Sequence, residues 1–222
     1  MKRRPESVWP EADKTEELLA KAQGGDDAAV GNLLDRHRTA LRRMVDMRMD
    51  AALKRRVDAS DIVQDVLVEA NRRLQDYLSN PAMPFHLWLR HMAKDRIIDA
   101  HRRHRVAQRR SLDREQPLVA PGGMDHSTME LAEELWDGEL TPQAAATRRE
   151  AIIRFQQALE ELDEADQEIV LMRNFEQLSN QEVAQALGLS EPAASMRYLR
   201  AIRKLRPKLG GDEGDGDTPT DR

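Results

Sequence analysis

Arg197, Arg200 and Arg203 recur at a fixed spacing near the end of the chain, just after Ser190, Glu191, Ser195 and Met196. On a helix, that order sets Glu191, Ser195, Met196 and Arg197 nearest base edges, with Arg200 and Arg203 nearer phosphates. The chemistry on offer is recognition of DNA. Catalytic and metal chemistry find less material. There is no cysteine, which excludes disulfides, thiolate zinc sites and thiol nucleophiles. His101 and His104 stand three apart, a metal-ligand spacing, but arginines flank them and no third ligand is near. His86 and His91 have no catalytic partner on their own helix. The expectation is no enzyme, no metal and no cofactor.

The element that must position those side chains is written in residues 178–205. Asn180 or Ser179 can cap a short helix, with Glu182 near enough to close a capping box. Val183, Ala184 and Leu187 then share one face at helical spacing. Gly188 supplies the left-handed residue that ends the helix, and Leu189 plugs the turn. Ser190 caps the second helix and Pro192 sits in its first turn, where no donor is missed. This is a helix-turn-helix, with its second helix destined for a major groove.

The rest of the chain reads as helical too. In 222 residues only 4% are aromatic while 34% are charged, which favours an all-α protein over a sandwich or barrel. No apolar run could span a bilayer and the first residues lack a signal-peptide core, so a cytoplasmic protein without membrane insertion is expected. The net charge of −5 suits DNA poorly until it is mapped along the chain. Residues 90–110 and 197–208 are basic; 125–139 and the tail 212–217 are acidic. Two basic patches separated by an acidic bridge suggest two DNA contacts in one polypeptide.

Periodicity divides the chain into two small helical domains joined by a flexible linker. Residues 1–12 read as disordered. Asp13 with Glu16 resembles a capping box opening a first helix that stops at Gly24-Gly25. A second helix opens at Asp26 or Asp27, a third near Asp58 ends around Tyr77, and Pro84 starts a fourth that runs to about Arg105. Residues 13–105 form the first domain and 106–141 an acidic linker. Residues 142–209 form the second domain, ending in the helix-turn-helix, and 210–222 a disordered acidic tail.

Three motifs in this order resemble the bacterial RNA polymerase sigma factors of the compact extracytoplasmic-function (ECF) group. Residues 58–70 (DASDIVQDVLVEA) are similar to that family's polymerase-binding helix. Residues 85–103 (FHLWLRHMAKDRIIDAHRR) are similar to its −10-reading helix. Residues 159–171 (LEELDEADQEIVL) with the helix-turn-helix are similar to its −35 reader. The resemblance covers about residues 15–209 and implies a region 2-like domain followed by a region 4-like domain.

The resemblance implies roles for particular residues. Asp58, Asp61, Gln64, Asp65 and Glu69 would meet core RNA polymerase, although Asp58 and Asp61 also read as a plain capping pair at a helix N-terminus. Arg90, Lys94, Arg96, Arg102 and Arg103 would neutralise −10 phosphates, with Met83 and Asp95 beside them. A melted base would meet the loop 78–83, while Phe85, Trp88 and Leu89 read as core. Two departures stand out. Asp95 replaces a polar Asn common in the group, so the −10 sequence does not carry over. Ser60 replaces a common carboxylate, which makes it a candidate phosphosite that would restore the charge, against the plainer reading of a first-turn residue.

A sigma factor is therefore expected, one that joins core polymerase, recognises −10 and −35 promoter elements and helps melt the former. Its first domain would dock on the clamp coiled coil of the largest subunit, its second on the flap of the second-largest. An anti-sigma factor or a kinase stands as an open regulatory partner. The rival reading is a helix-turn-helix regulator that binds an operator without joining polymerase. It leaves the helix at Asp58–Tyr77 and the proline loop unexplained.

Overall fold

A computed structural model describes residues 8–112, 154–155 and 157–209. Among them every regular element is an α-helix. In the first domain α1 spans Ala12–Gln23, α2 Asp27–Arg48, α3 Ala51–Lys54, α4 Ala59–Ser79 and α5 Phe85–Leu112. In the second, α6 spans Glu164–Asn174, α7 Asn180–Leu187 and α8 Glu191–Lys208. Residues 113–153, which hold most of the expected linker 106–141 and the start of the second domain, and the expected tail 210–222 lie outside the described residues, so the expectations about them stay open.

Caps and breakers set the helix boundaries. Asp26 accepts from the backbone N–H groups of Ala28 and Ala29 to start α2, and Gly25, at φ 87°, makes the left-handed turn before it. Asp50 caps α3 through Leu53, and Asp58 caps α4 through Ser60. On α2 the buried stripe is Ala29, Leu33, His37, Ala40, Leu41, Met44 and Val45. On α4 it is Ala59, Ile62, Val63, Val66, Leu67, Ala70, Leu74 and Tyr77. Both repeat at helical period, so each helix turns one face inward. A Leu as enclosed as Leu33 contributes about 2 kcal/mol of transfer free energy. Helices α2, α4 and α5 pack on one another around this core, and α1 packs on α2.

An aromatic group closes one end of that bundle. Tyr77 lies 5.4 Å from Phe85 and 4.7 Å from Trp88, and His37 packs edge-on to Phe85 at 5.1 Å. Tyr77 Oη donates to the Met83 carbonyl at 2.9 Å. The loop between α4 and α5 is thus pinned at Met83, leaving residues 79–82 exposed. Phe85 and Leu89 are buried and Trp88 half-buried, which matches the core reading of that trio.

The structure corrects four expectations. Trp9 lies in the segment read as disordered, yet it is buried between the rings of His37 and His86. A single large aromatic can anchor a polar terminus, and composition alone undervalues it. Helix α1 starts at Ala12 behind Glu11, with no side-chain cap; Asp13 sits inside its first turn. The short α3 between Met49 and Asp58 was not expected. Helix α5 continues to Leu112, past Arg105, because no Gly or Pro interrupts it before Pro117.

Candidate nucleic-acid interface

The recognition element is assembled from local signals. Ser179 Oγ accepts from the Glu182 N–H, and the Glu182 carboxylate accepts from the Ser179 N–H at 2.7 Å, completing the capping box. Ser179 is the cap; Asn180 instead donates its side-chain N–H to the Glu191 carbonyl at 3.0 Å, which ties the start of α7 to the start of α8. Gly188 takes φ 62° and ends α7. Ser190 caps α8 through Ala193, with Pro192 in the first turn.

Helix α8 buries Ala194, Ala201 and Leu205, with Tyr198 and Ile202 packed against the core beside them. Ser190, Glu191, Met196, Arg200 and Arg203 are exposed; Ser195 and Arg197 are partly so. Among the described residues Arg197, Arg200 and Arg203 have no acidic partner. Met196 and Leu199, 55% and 48% exposed, are large apolar groups a core would have claimed. Two other cations of the basic run are engaged inside the domain. Lys204 bonds Asp163 at 2.9 Å and Asp166 at 2.5 Å, and Lys208 bonds Glu161. Tyr198 donates to Asn174 at 3.0 Å under the Arg173 guanidinium, which holds α8 on α6.

On α4, Asp61, Gln64 and Asp65 form one exposed stripe, joined by Val68 at 42% exposure. Val68 was missed by the sequence reading; its signal is an apolar residue set off the inward face of an otherwise regular helix. Gln64 accepts from Arg38 at 3.2 Å. Glu69 is half-buried, held by Arg73 at 2.6 Å and facing Arg96 at 3.7 Å. Asp58 has its carboxyl drawn below the usual range by the Ser60 N–H first and the Ser60 hydroxyl second. Ser60 is exposed and donates to Asp58 at 2.7 Å.

The basic face of α5 divides in two. Asp95, Arg102 and Arg103 are exposed, with Arg102 3.1 Å from Asp99. A groove of about 350 Å³ runs between α4 and α5, with Asp61 and Asp65 on one wall and Arg96 and Arg103 on the other. The acidic and basic sets, read separately in the sequence, thus share one groove. Arg90 is placed elsewhere. Only 1% exposed, it turns into the boundary between the domains, where Glu168 and Glu176 receive it. In this arrangement it presents no surface to DNA. Lys94 follows it, 3.8 Å from Glu168. Arg48, from the end of α2, joins the same two carboxylates. Glu168, Glu176 and Arg48 were not singled out in the sequence, since no spacing links them.

Among the described residues there is no cluster that could hold a metal ion and no helix long and apolar enough to cross a membrane.

The chain is similar to known proteins over most of its length. The family model for sigma-70 region 2 matches residues 33–106, and that for sigma-70 region 4 matches residues 152–205. The RNA polymerase sigma factor CnrH of Cupriavidus metallidurans is 30% identical over 198 residues, covering 88% of this chain and 94% of that one. The ECF RNA polymerase sigma factor SigD of Mycobacterium tuberculosis is 25% identical over 203 residues, covering 91% and 87%. The solved structure of CnrH in complex with the cytosolic domain of CnrY superposes with a TM-score of 0.55 at 25% identity, covering 91% of this chain and all of that one. The region 2 match spans the helices that an operator-binding regulator leaves unexplained. The chain therefore belongs to the sigma-70 family, as an ECF sigma factor that directs transcription initiation.

Proposed function

We propose that this sigma factor works in the cytoplasm by docking the exposed α4 stripe on the clamp coiled coil of core polymerase's largest subunit. Asp61, Gln64 and Asp65 supply its polar contacts and Val68 an apolar centre, while Asp58 mainly caps the helix. The second domain rests on the flap of the second-largest subunit and lays α8 in the major groove of the −35 element. Arg197 with Ser195, Met196 and Glu191 reads base edges, and Ser190 lies beside them; Arg200 and Arg203 neutralise phosphates.

In the first domain, Arg96, Arg102 and Arg103 follow the −10 backbone, and the exposed loop at 79–82 offers a landing place for an unpaired base. Melting follows from differential binding: a loop that accepts only a flipped base favours the open duplex. The protein supplies binding energy and the polymerase the chemistry. An anti-sigma partner fits this reading, since the related CnrH was solved with the cytosolic domain of CnrY bound.

The observation that carries the proposal is the presence of two exposed faces on one chain, acidic on α4 and basic on α8. Run-off transcription with purified core polymerase and sheared genomic DNA, with transcript starts sequenced, tests it. Discrete new starts sharing two spaced upstream motifs are expected. Specific DNA binding without new starts would return the operator-binding regulator.

A further inference from the structure

The side of α8 that faces away from its own domain is apolar along its middle. Met196 and Leu199 are 55% and 48% exposed. At 3.6 residues per turn they stand about 160° and about 140° round the helix from Ala194, one on each side of the line opposite the core. Ala194, Ala201 and Leu205 are buried on the far side. Pro192 precedes the pair on this ridge and Arg203 continues it a turn later, both exposed, with Arg200 on its flank. The packing of the domain does not account for the pair. Polar residues such as Glu, Gln or Lys form helix as well as Leu or Met, and they leave no apolar surface in water.

The major groove offers one match for such a ridge. Adenine, guanine and cytosine show only donors and acceptors there, whereas thymine adds its C5-methyl. A thioether or isobutyl group laid over that methyl removes apolar surface on both sides from water. Laid over a G·C pair, it covers polar edges and returns no hydrogen bond, which costs affinity. The ridge thus selects by attraction and by penalty together. Met196 and Leu199 are separated by about 4.5 Å of helix rise, against a base-pair step of about 3.4 Å, so they meet neighbouring pairs. The exposed guanidinium groups of Arg200 and Arg203 beside the ridge complement the phosphates that border a groove, which favours DNA over a protein partner.

We infer that Met196 and Leu199 read the −35 element through thymine methyl groups on two neighbouring base pairs. The inference rests on the placement of α8 in that groove proposed above. It adds Leu199 to the specificity-determining residues and gives Met196 an apolar role, beside the hydrogen bonds of Arg197.

Replacing thymine by deoxyuridine tests this, because it removes the methyl and keeps every hydrogen-bonding group. Holoenzyme is assembled from core polymerase and the full chain. Run-off transcription at graded template concentration then compares one promoter, found by sequencing transcript starts, with copies in which each −35 thymine on either strand is replaced in turn. Two neighbouring replacements should each raise the half-maximal template concentration roughly fourfold. Met196→Ala should abolish the effect at one of the two positions and Leu199→Ala at the other. Arg203→Ala should weaken every template and keep both effects. Both apolar side chains are exposed, so their loss spares the core; should circular dichroism show lost helix, Met196→Gln and Leu199→Gln take their place. The inference is overturned if deoxyuridine templates serve as well as the parent, or if the methyl effects survive in both variants. Folded variants that fail to join core polymerase overturn it too, and assign the ridge to a protein contact. Full base-pair exchanges in the −35 element separate this inference from the reading beneath it. If exchanges abolish transcription and deoxyuridine does nothing, α8 reads the element by other contacts; if exchanges also do nothing, the placement of α8 itself fails.

Discussion

Arg90 Nε donates to Glu176 Oε2 at 2.9 Å across the domain boundary, with the two side chains 1% and 2% exposed. Eighty-six residues separate them in the chain. A residue that belongs by position to a DNA-facing basic helix is thereby turned into an internal contact. Positive charge on a helix is no guide to its partner until the other helices are placed.

The same distinction applies on α8, between neighbours. Arg203→Ala should weaken binding to every DNA sequence and reduce the salt slope by about one, as the loss of a phosphate contact does. Lys204→Ala should leave that slope unchanged, because Lys204 is occupied by Asp163 and Asp166. Water screens its exposed pair with Asp163, so the loss should change stability little. Fluorescence-anisotropy titrations at several salt concentrations separate the two; equal slopes for both variants would refute the assignment.

Arg197→Ala should relax the choice of −35 bases by about 1–3 kcal/mol of discrimination. Binding selections from a randomised −35 pool would show it as flattened base preferences. If Arg197→Ala and Arg203→Ala alter every sequence alike, the division between base and phosphate contacts is wrong.

The turn between α7 and α8 should be sensitive to its local chemistry. Gly188 sits at φ 62° with open space where a Cβ would stand, so Gly188→Ala costs conformational strain of about 1 kcal/mol and no clash. Ser179→Ala removes the cap and should cost a similar amount, about 1 kcal/mol. Urea unfolding monitors both, and a stabilised Gly188→Ala protein would contradict the left-handed geometry.

Ser60 donates to Asp58 at the head of α4, beside the proposed polymerase face. A phosphate there would be favoured by the helix N-terminus and opposed by the Asp58 carboxylate. Regulation by a kinase predicts that Ser60→Glu binds core polymerase more tightly than Ser60→Ala. Equal affinities in a pull-down series would leave Ser60 as a first-turn residue only.

His37 makes folding depend on pH. Burial holds its imidazole at about 4 in place of the usual 6.5, although its Nδ1 lies 2.9 Å from the Leu33 carbonyl. The unfolded chain takes up that proton at 6.5 and the native one only near 4. Stability is therefore fully present above 6.5 and falls as pH drops towards 4, by about 3 kcal/mol over the whole span. His91 shifts in the same direction, by burial and then by Arg90. Glu168 and Glu182, both held at about 2, add their own loss only as pH falls below 4.5. His37→Leu should flatten urea stability between pH 6.5 and 4.5, and an unchanged slope would place the sensitivity elsewhere.

The sequence by itself determined what is decided within one or two helical turns. Gly188, Ser179, Ser190 and Pro192 specify the helix-turn-helix through dihedral limits and capping bonds that reach no further than a few residues. The inward stripe of α4 was legible for the same reason, because period and burial face travel together. Even the acidic stripe of α4 could be read, as residues left over from the core.

What only the tertiary structure decided is which charges are spent inside the molecule. Arg48 meets Glu176 across 128 residues, Arg90 meets Glu168 across 78, and Lys204 reaches Asp163 across 41. Trp9 owes its burial to two histidines on different helices. No local signal links such residues, because Coulomb attraction and ring packing depend on distance in space and are indifferent to separation along the chain. Helices are written locally; the pairing of their charges waits for the fold.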